Sequence, residues 1–284
     1  MTAARLNGLF PPDFVARGRF TAAVGTPPPG APPPFRVEIG DARALQAGAE
    51  SEAAFFADHG FVLLPHATAV RDWDAEIASL YLAEIEAIIR DRLLPERRLE
   101  IQQGPYLLRR GRGTATPFYG EGVHQDHGLT PDDYAKNVGA FAGEEAARWW
   151  RLRFDRDDVA GFMAIDFWRT TNMAGPLRHM PLALCDPASV AAEDLIQTAL
   201  TGIAPEGRET NHLSLRFNPA QRWYHYPLMT GDELLVFKIF QCTKGGEDGL
   251  ASCLHSAFAD PDTPADAEQR QSCEHRVGVV LLKD

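Results

Sequence analysis

The sequence predicts a mainly β fold, a sandwich or jelly roll with flanking α-helices, and three observations carry that expectation. Beyond Pro105, short apolar runs alternate with Gly, Pro and Asn/Asp clusters at strand-like spacing. Helical periodicity is confined to the first third of the chain and to one insertion at residues 131–148. The residues best suited to chemistry are distributed over several of the predicted strands.

The elements follow in chain order. Residues 1–50 read as an N-terminal Pro-rich arm, because 25–35 hold six prolines that lack N–H donors and fix φ, leaving an extended polyproline-like course. Residues 50–59 read as a helix, and 60–65 as a short buried strand between turn signals. From 73 to 90, Ile77, Leu80, Tyr81, Ile85, Ile88 and Ile89 recur at helical spacing and predict an amphipathic supporting helix. Predicted strands then cover 105–109, 159–169, 213–217, 233–240 and 276–282. No repeat and no further boundary appears, so 51–284 is expected to form one domain.

Composition narrows the function. The 284 residues are 45% hydrophobic, enough for a substantial core without disulfide staples. Four cysteines, Cys185, Cys242, Cys253 and Cys273, form no C-x-x-C pair, which points to a reduced, cytoplasmic setting. No run of about 18 apolar residues is present, so no membrane partner is expected. Lys and Arg number 28 against 39 Asp and Glu, a net charge of −11, and no nucleic-acid partner is expected for want of a phosphate-neutralising patch.

The chemistry-bearing motif is Val123-His124-Gln125-Asp126-His127. A histidine and a carboxylate one residue apart point to the same side of a strand and can ligate one metal ion. A distant histidine completes the set. His255 is a candidate beside His212, His225 and His275, and Arg276 lies downstream of it. His-x-Asp, then His, then Arg on a late strand is the order that a non-haem Fe(II) oxygenase using 2-oxoglutarate and O2 requires. The 2-oxoacid chelates two open positions, O2 takes the third, and oxidative decarboxylation gives succinate, carbon dioxide and an oxidant that attacks unactivated carbon. A guanidinium suits the far carboxylate, and Arg276 is the candidate. His127 faces the other side of the strand and suits a turn or supporting role.

Trp168, Arg169, Trp223, Tyr224, His225 and Tyr226 gather aromatic and polar character suited to a small-molecule substrate pocket, with core packing the alternative. A buried Arg169 needs a partner, which an internal acid, the cosubstrate or a substrate carboxylate would provide. Tyr106 is placed on the barrel wall near the cosubstrate or in ordinary packing. The cluster Arg109-Arg110-Gly111-Arg112 reads as a solvated strand end.

These residues resemble a known family. His124-Gln125-Asp126, Trp168-Arg169, Pro181-Leu182-Ala183-Leu184-Cys185-Asp186, Gln221-Arg222-Trp223-Tyr224 and the stretch from His255-Ser256-Ala257-Phe258 through Arg270, Ser272 and Glu274 to Arg276 are similar to the cephalosporin 7α-methoxylase-like and fungal hydroxylase/desaturase group of Fe(II)/2-oxoglutarate oxygenases. The resemblance runs from about residue 100 to the C-terminus and favours His255 over the other histidines. It implies a double-stranded β-helix, hydroxylation or desaturation of small secondary metabolites, and compatibility with a homodimer. Lys238-Ile239-Phe240-Gln241-Cys242 departs from the family pattern of an aromatic, an acid and a serine. A cupin-like metal enzyme without 2-oxoglutarate and a non-catalytic barrel are the rival classes.

Overall fold

The computed structural model describes residues 1–16, 18–23, 33–111, 119–246 and 250–284. Its strands are β1 (Thr2–Leu6), β2 (Leu9–Phe10), β3 (Phe20–Ala23), β4 (Phe35–Asp41), β5 (Phe61–Pro65), β6 (Leu99–Arg109), β7 (Val159–Thr170), β8 (Leu182–Cys185), β9 (Leu195–Thr201), β10 (Thr210–Arg216), β11 (Trp223–His225), β12 (Glu233–Thr243), β13 (His255–Ala257) and β14 (Ser272–Leu282). The helices are α1 (Ala42–Gln46), α2 (Glu52–His59), α3 (Leu82–Ile88), α4 (Pro131–Ala142) and α5 (Glu144–Phe154).

One wall of the barrel is the antiparallel sheet β5-β12-β7-β14-β6. The facing wall is made of β1-β4-β11-β8-β13 and β2-β10-β9-β3. Residues 123–126 stitch these two together, since His124 bridges His255 and Gln125 bridges Leu213. The expected jelly-roll core is therefore present, with the His-x-Asp segment running between β13 and β10.

β7 is buried almost end to end, which explains its near-continuous apolar run. Its inner face looks into the barrel. Its outer face is covered by α3 and the π-helical turns Ile77–Tyr81 and Ile89–Leu93, which bury Ile77, Tyr81, Ile85, Ile88 and Ile89. The predicted helix at 73–90 is thus a shorter α-helix flanked by π turns. The insertion at 131–148 folds as the α4–α5 hairpin, started by a Thr130–Asp133 capping box with Pro131 in the first turn. Tyr134 and Trp150 from this hairpin pack on Phe162 and Phe240 and close that end of the barrel.

Two bulges set which side chains face inward. In β12 the register shifts between Lys238 and Phe240, so Phe237 pairs with Asp166 and Phe240 with Ala164, and both rings face the interior. Lys238 turns outward, its Nζ donating to Ala57 O at 3.3 Å above the Phe56 ring. In β14 the shift lies between His275 and Val277, opposite Gly104. A side chain at Gly104 would collide with Arg276 O, so only glycine allows this approach.

The described part of residues 1–50 does not stand off as an arm. β1 pairs with β4, and β4 with β11, so these strands extend the second wall. Most of the Pro-rich stretch, residues 24–32, lies outside the described residues. Among the described residues all four cysteines are buried and none is in a disulfide, and no helix is long and apolar enough to cross a membrane.

Candidate metal centre

His124 and His255 face each other across a backbone bridge, N to O 3.1 Å one way and 2.9 Å the other. Their rings are 4.5 Å apart. Strand alternation turns Gln125 away, where its Nε2 donates to Ser252 Oγ at 2.6 Å, and brings Asp126 back to the side of His124. His124 Nε2 lies 3.4 Å from Asp126 Oδ1, and the ligand atoms of His124, Asp126 and His255 all fall within 4.8 Å of one another. Each imidazole has its Nδ1 against a backbone carbonyl, Gly122 O at 2.6 Å and Cys253 O at 3.2 Å. Nδ1–H donation to those carbonyls leaves both Nε2 lone pairs for a metal ion.

The charges favour ligation. Burial opposes ionisation of Asp126, but the Arg276 guanidinium and the hydrogen bond from His124 outweigh it and hold this carboxyl well below its usual range. Burial, then the neighbouring His124, push His255 down to about 4, so its imidazole is neutral near pH 7. His124 is shifted the other way: burial lowers its pKa, but the hydrogen bond and charge of Asp126 outweigh burial and raise it, so ligation there displaces a proton. Two imidazoles with one carboxylate then fit a divalent transition metal.

Behind Asp126 lies a buried ionic relay. Arg276 Nη2 is 3.1 Å from Asp126 Oδ2 and 3.1 Å from Glu274 Oε1. Arg109 grips Glu274 with Nε to Oε2 at 3.0 Å and Nη2 to Oε1 at 3.1 Å. Asp166 pairs with Arg276 across β7 and β14; burial and then Glu274 push its carboxyl well above the usual range. Arg109, Glu274 and Asp166 were not expected at the site. A signal exists: Ser272, Glu274 and Arg276 alternate on an otherwise apolar strand, and Asp166 interrupts a long apolar run.

Arg270, part of the family spacing from His255 to Arg276 but given no role by the sequence, also belongs to the site. It is 1% exposed, donates to Met180 O at 2.6 Å and Tyr119 O at 3.0 Å, and lies over the rings of Tyr119 and Trp168. Among the described residues its Nε, Ser272 Oγ and Thr170 Oγ1 are buried without hydrogen-bond partners. Burial first, and Arg109 second, pull its pKa down to about 9.

The remaining predicted residues fall on different faces. Trp168 shares the inward face of Asp166. Arg169 is on the opposite face, fully buried, stacked over Trp73 and Tyr81 and donating to His66 O and Gly231 O. Tyr224, not its neighbours, pairs with Leu184, which pairs with His255. Trp223 and His225 therefore point away from the metal ligands, Trp223 into a second core with Ile39 and Cys185, His225 toward Phe258. Tyr106 is 46% exposed and pairs with His275, whose ring packs toward Tyr81 outside the barrel. His212 lies one strand over with Nε2 on Thr210 Oγ1 at 2.8 Å. His127 packs on Tyr134 and Phe240, 3.1 Å from Asn137 Nδ2. Arg112 is outside the described residues.

Fold and site together define a jelly-roll protein with two histidines and one carboxylate converging inside the barrel. The YDMC family model, described as an oxidoreductase/YMDC permease-like domain, matches residues 31–280, and the chain belongs to that family. Two structures of NvfI, an iron and alpha-ketoglutarate-dependent endoperoxidase, superpose with a TM-score of 0.72 at 22% identity, covering 99% of both chains, which establishes the common fold. Aspirochlorine biosynthesis protein N of Aspergillus oryzae is 32% identical over 112 residues, 39% of this chain and 45% of its own length. The hydroxylase/desaturase efuI of Hormonema carpetanum is 32% identical over 102 residues, 33% of each chain. CTB9 of Cercospora beticola, also a hydroxylase/desaturase, is 32% identical over 120 residues, 38% of this chain and 36% of its own. The chain thus spans less than half the length of these curated relatives.

Proposed function

We propose that the protein is an Fe(II)- and 2-oxoglutarate-dependent oxygenase that hydroxylates or desaturates a small, secondary-metabolite-like molecule. The convergence of His124, Asp126 and His255, with each imidazole's Nδ1 at a backbone carbonyl and its Nε2 on the side of Asp126, carries this reading. It is supported by the hydroxylase/desaturase relatives and by the iron and alpha-ketoglutarate dependence in the name of NvfI. Iron, with 2-oxoglutarate and O2, supplies the oxidising power when bound.

The chain's own residues divide the remaining work. His124, Asp126 and His255 hold the metal. The far carboxylate of 2-oxoglutarate falls to Arg270, whose buried guanidinium meets no carboxylate among its described contacts and stands with the unpartnered hydroxyls of Ser272 and Thr170. Arg276, the expected anchor, is already engaged by two carboxylates. Phe237, 4.8 Å from the His255 ring, and Phe240 form an apolar wall that excludes water from one side. The side chains of His124 and Arg276 are 29% and 34% exposed, so substrate enters past them. The described strands of residues 1–50 pair with the rest of the chain and extend the same folded unit, and four buried thiols suit a reducing cytoplasm.

Succinate release coupled to oxidised product tests the assignment. Turnover without succinate assigns the fold to a metal enzyme that does not use 2-oxoglutarate.

A further inference from the structure

We infer that Arg276 is a positioning residue that makes Asp126 present a single oxygen to the metal, and that Glu274 and Arg109 hold Arg276 in that role. The inference rests on the reading of His124, Asp126 and His255 as metal ligands.

The two oxygens of Asp126 have different company. Oδ1 is the one 3.4 Å from His124 Nε2, and Oδ2 is 3.1 Å from Arg276 Nη2. Arg276 Nη2 hydrogen-bonds Glu274 and meets Oδ2 as an ion pair without a hydrogen bond, and that charge holds Oδ2 on its side while Oδ1 stands beside His124 to ligate. A free arginine beside a carboxylate would swing to a two-point grip on both oxygens and block ligation. Glu274 prevents this: its Oε1 sits 3.1 Å from the same Nη2, so one nitrogen is shared between two acids and only one contact reaches Asp126. Glu274 is fixed in turn by two N–H groups of Arg109 on the neighbouring strand. The side chains of Glu274 and Asp126 are 10% and 7% exposed, so the two acids are shielded from water while Arg276, 34% exposed, reaches the opening. Two guanidinium groups and two carboxylates also balance, and the relay stores no net charge behind the metal.

Charge and position make opposite predictions for Arg276→Met. Removing a cation next to a dicationic metal strengthens binding if charge alone matters. Losing the clamp weakens it, by about 10–100-fold for an outer partner of a ligating carboxylate. The experiment is Co(II) titration by calorimetry on the full chain, without cosubstrate, with folding checked by circular dichroism. His255→Ala serves as control for the metal-site reading itself: unchanged Co(II) affinity in that variant refutes the reading. With Co(II) binding lost in His255→Ala, the clamp predicts weaker binding in Arg276→Met and in Glu274→Gln, and little additional loss when the two are combined. Equal or tighter binding in Arg276→Met, or fully additive losses, overturns the proposal. Should Arg276→Met fail to fold, Arg276→Lys keeps the charge and carries the same test, with wild-type affinity as the contradicting result.

Discussion

His124 and His255 exchange both backbone hydrogen bonds of one isolated bridge, which holds their imidazoles 4.5 Å apart before any metal arrives. The bridge uses main-chain atoms only. Side-chain replacement at either position therefore leaves the bridge in place, and each ligand can be removed without dismantling the wall it sits on.

Arg270→Lys keeps a cation but loses the guanidinium fork and its two carbonyl contacts. The KM for 2-oxoglutarate should rise by about 10–100-fold, equivalent to about 1.5–3 kcal/mol for a hydrogen bond to a charged group. Steady-state kinetics at varied 2-oxoglutarate checks this, and an unchanged KM removes Arg270 from the cosubstrate.

Arg169 should matter for stability and not for coupling. Its replacement by Met strands the carbonyls of His66 and Gly231 and removes the cation from above Trp73 and Tyr81. Denaturant unfolding should show a loss of about 3 kcal/mol, with the ratio of succinate to oxidised product unchanged in the folded fraction. A changed ratio would put Arg169 back at the substrate.

His275 predicts an acid limit. Its ring is fully buried, neither nitrogen makes a well-formed hydrogen bond among the described residues, and burial, only partly opposed by the Gly104 backbone, lowers its pKa to about 4. The unfolded chain, with an ordinary value near 6.5, binds more protons between those limits, so stability is present above about pH 6.5 and lost as pH falls toward 4. At about 1.4 kcal/mol per unit the loss approaches about 3 kcal/mol. His275→Phe should flatten that part of the stability profile measured by chemical denaturation, and an unaltered slope would show that another group titrates.

The legible parts of the fold were those with strong local signals. β5, β7, β12 and β14 are long apolar runs with punctuated ends. β11 and β13 are three residues each and owe their existence to partners far along the chain. β1 and β4 were hidden for a different reason: prolines near them suggest an arm, while β1 pairs with β4 and β4 docks on β11, about 180 residues later. In the site, the spacing of His124 and Asp126 marked two candidate ligands because alternation is a local rule. Applied consistently, the same rule separates Arg169 from Trp168, and Trp223 and His225 from Tyr224. Alternation of Ser272, Glu274 and Arg276 marked one face of β14, but the Arg109 grip on Glu274 was out of reach because it depends on pairing between β6 and β14, some 165 residues apart.

The most direct test of the central claim is anaerobic addition of Fe(II) and 2-oxoglutarate, followed by visible absorption. The His124, Asp126 and His255 assignment predicts a weak charge-transfer band from the chelated 2-oxoacid in the wild-type protein and its loss in His255→Ala with the fold intact. No band in the wild type, or an undiminished band in His255→Ala, would contradict it.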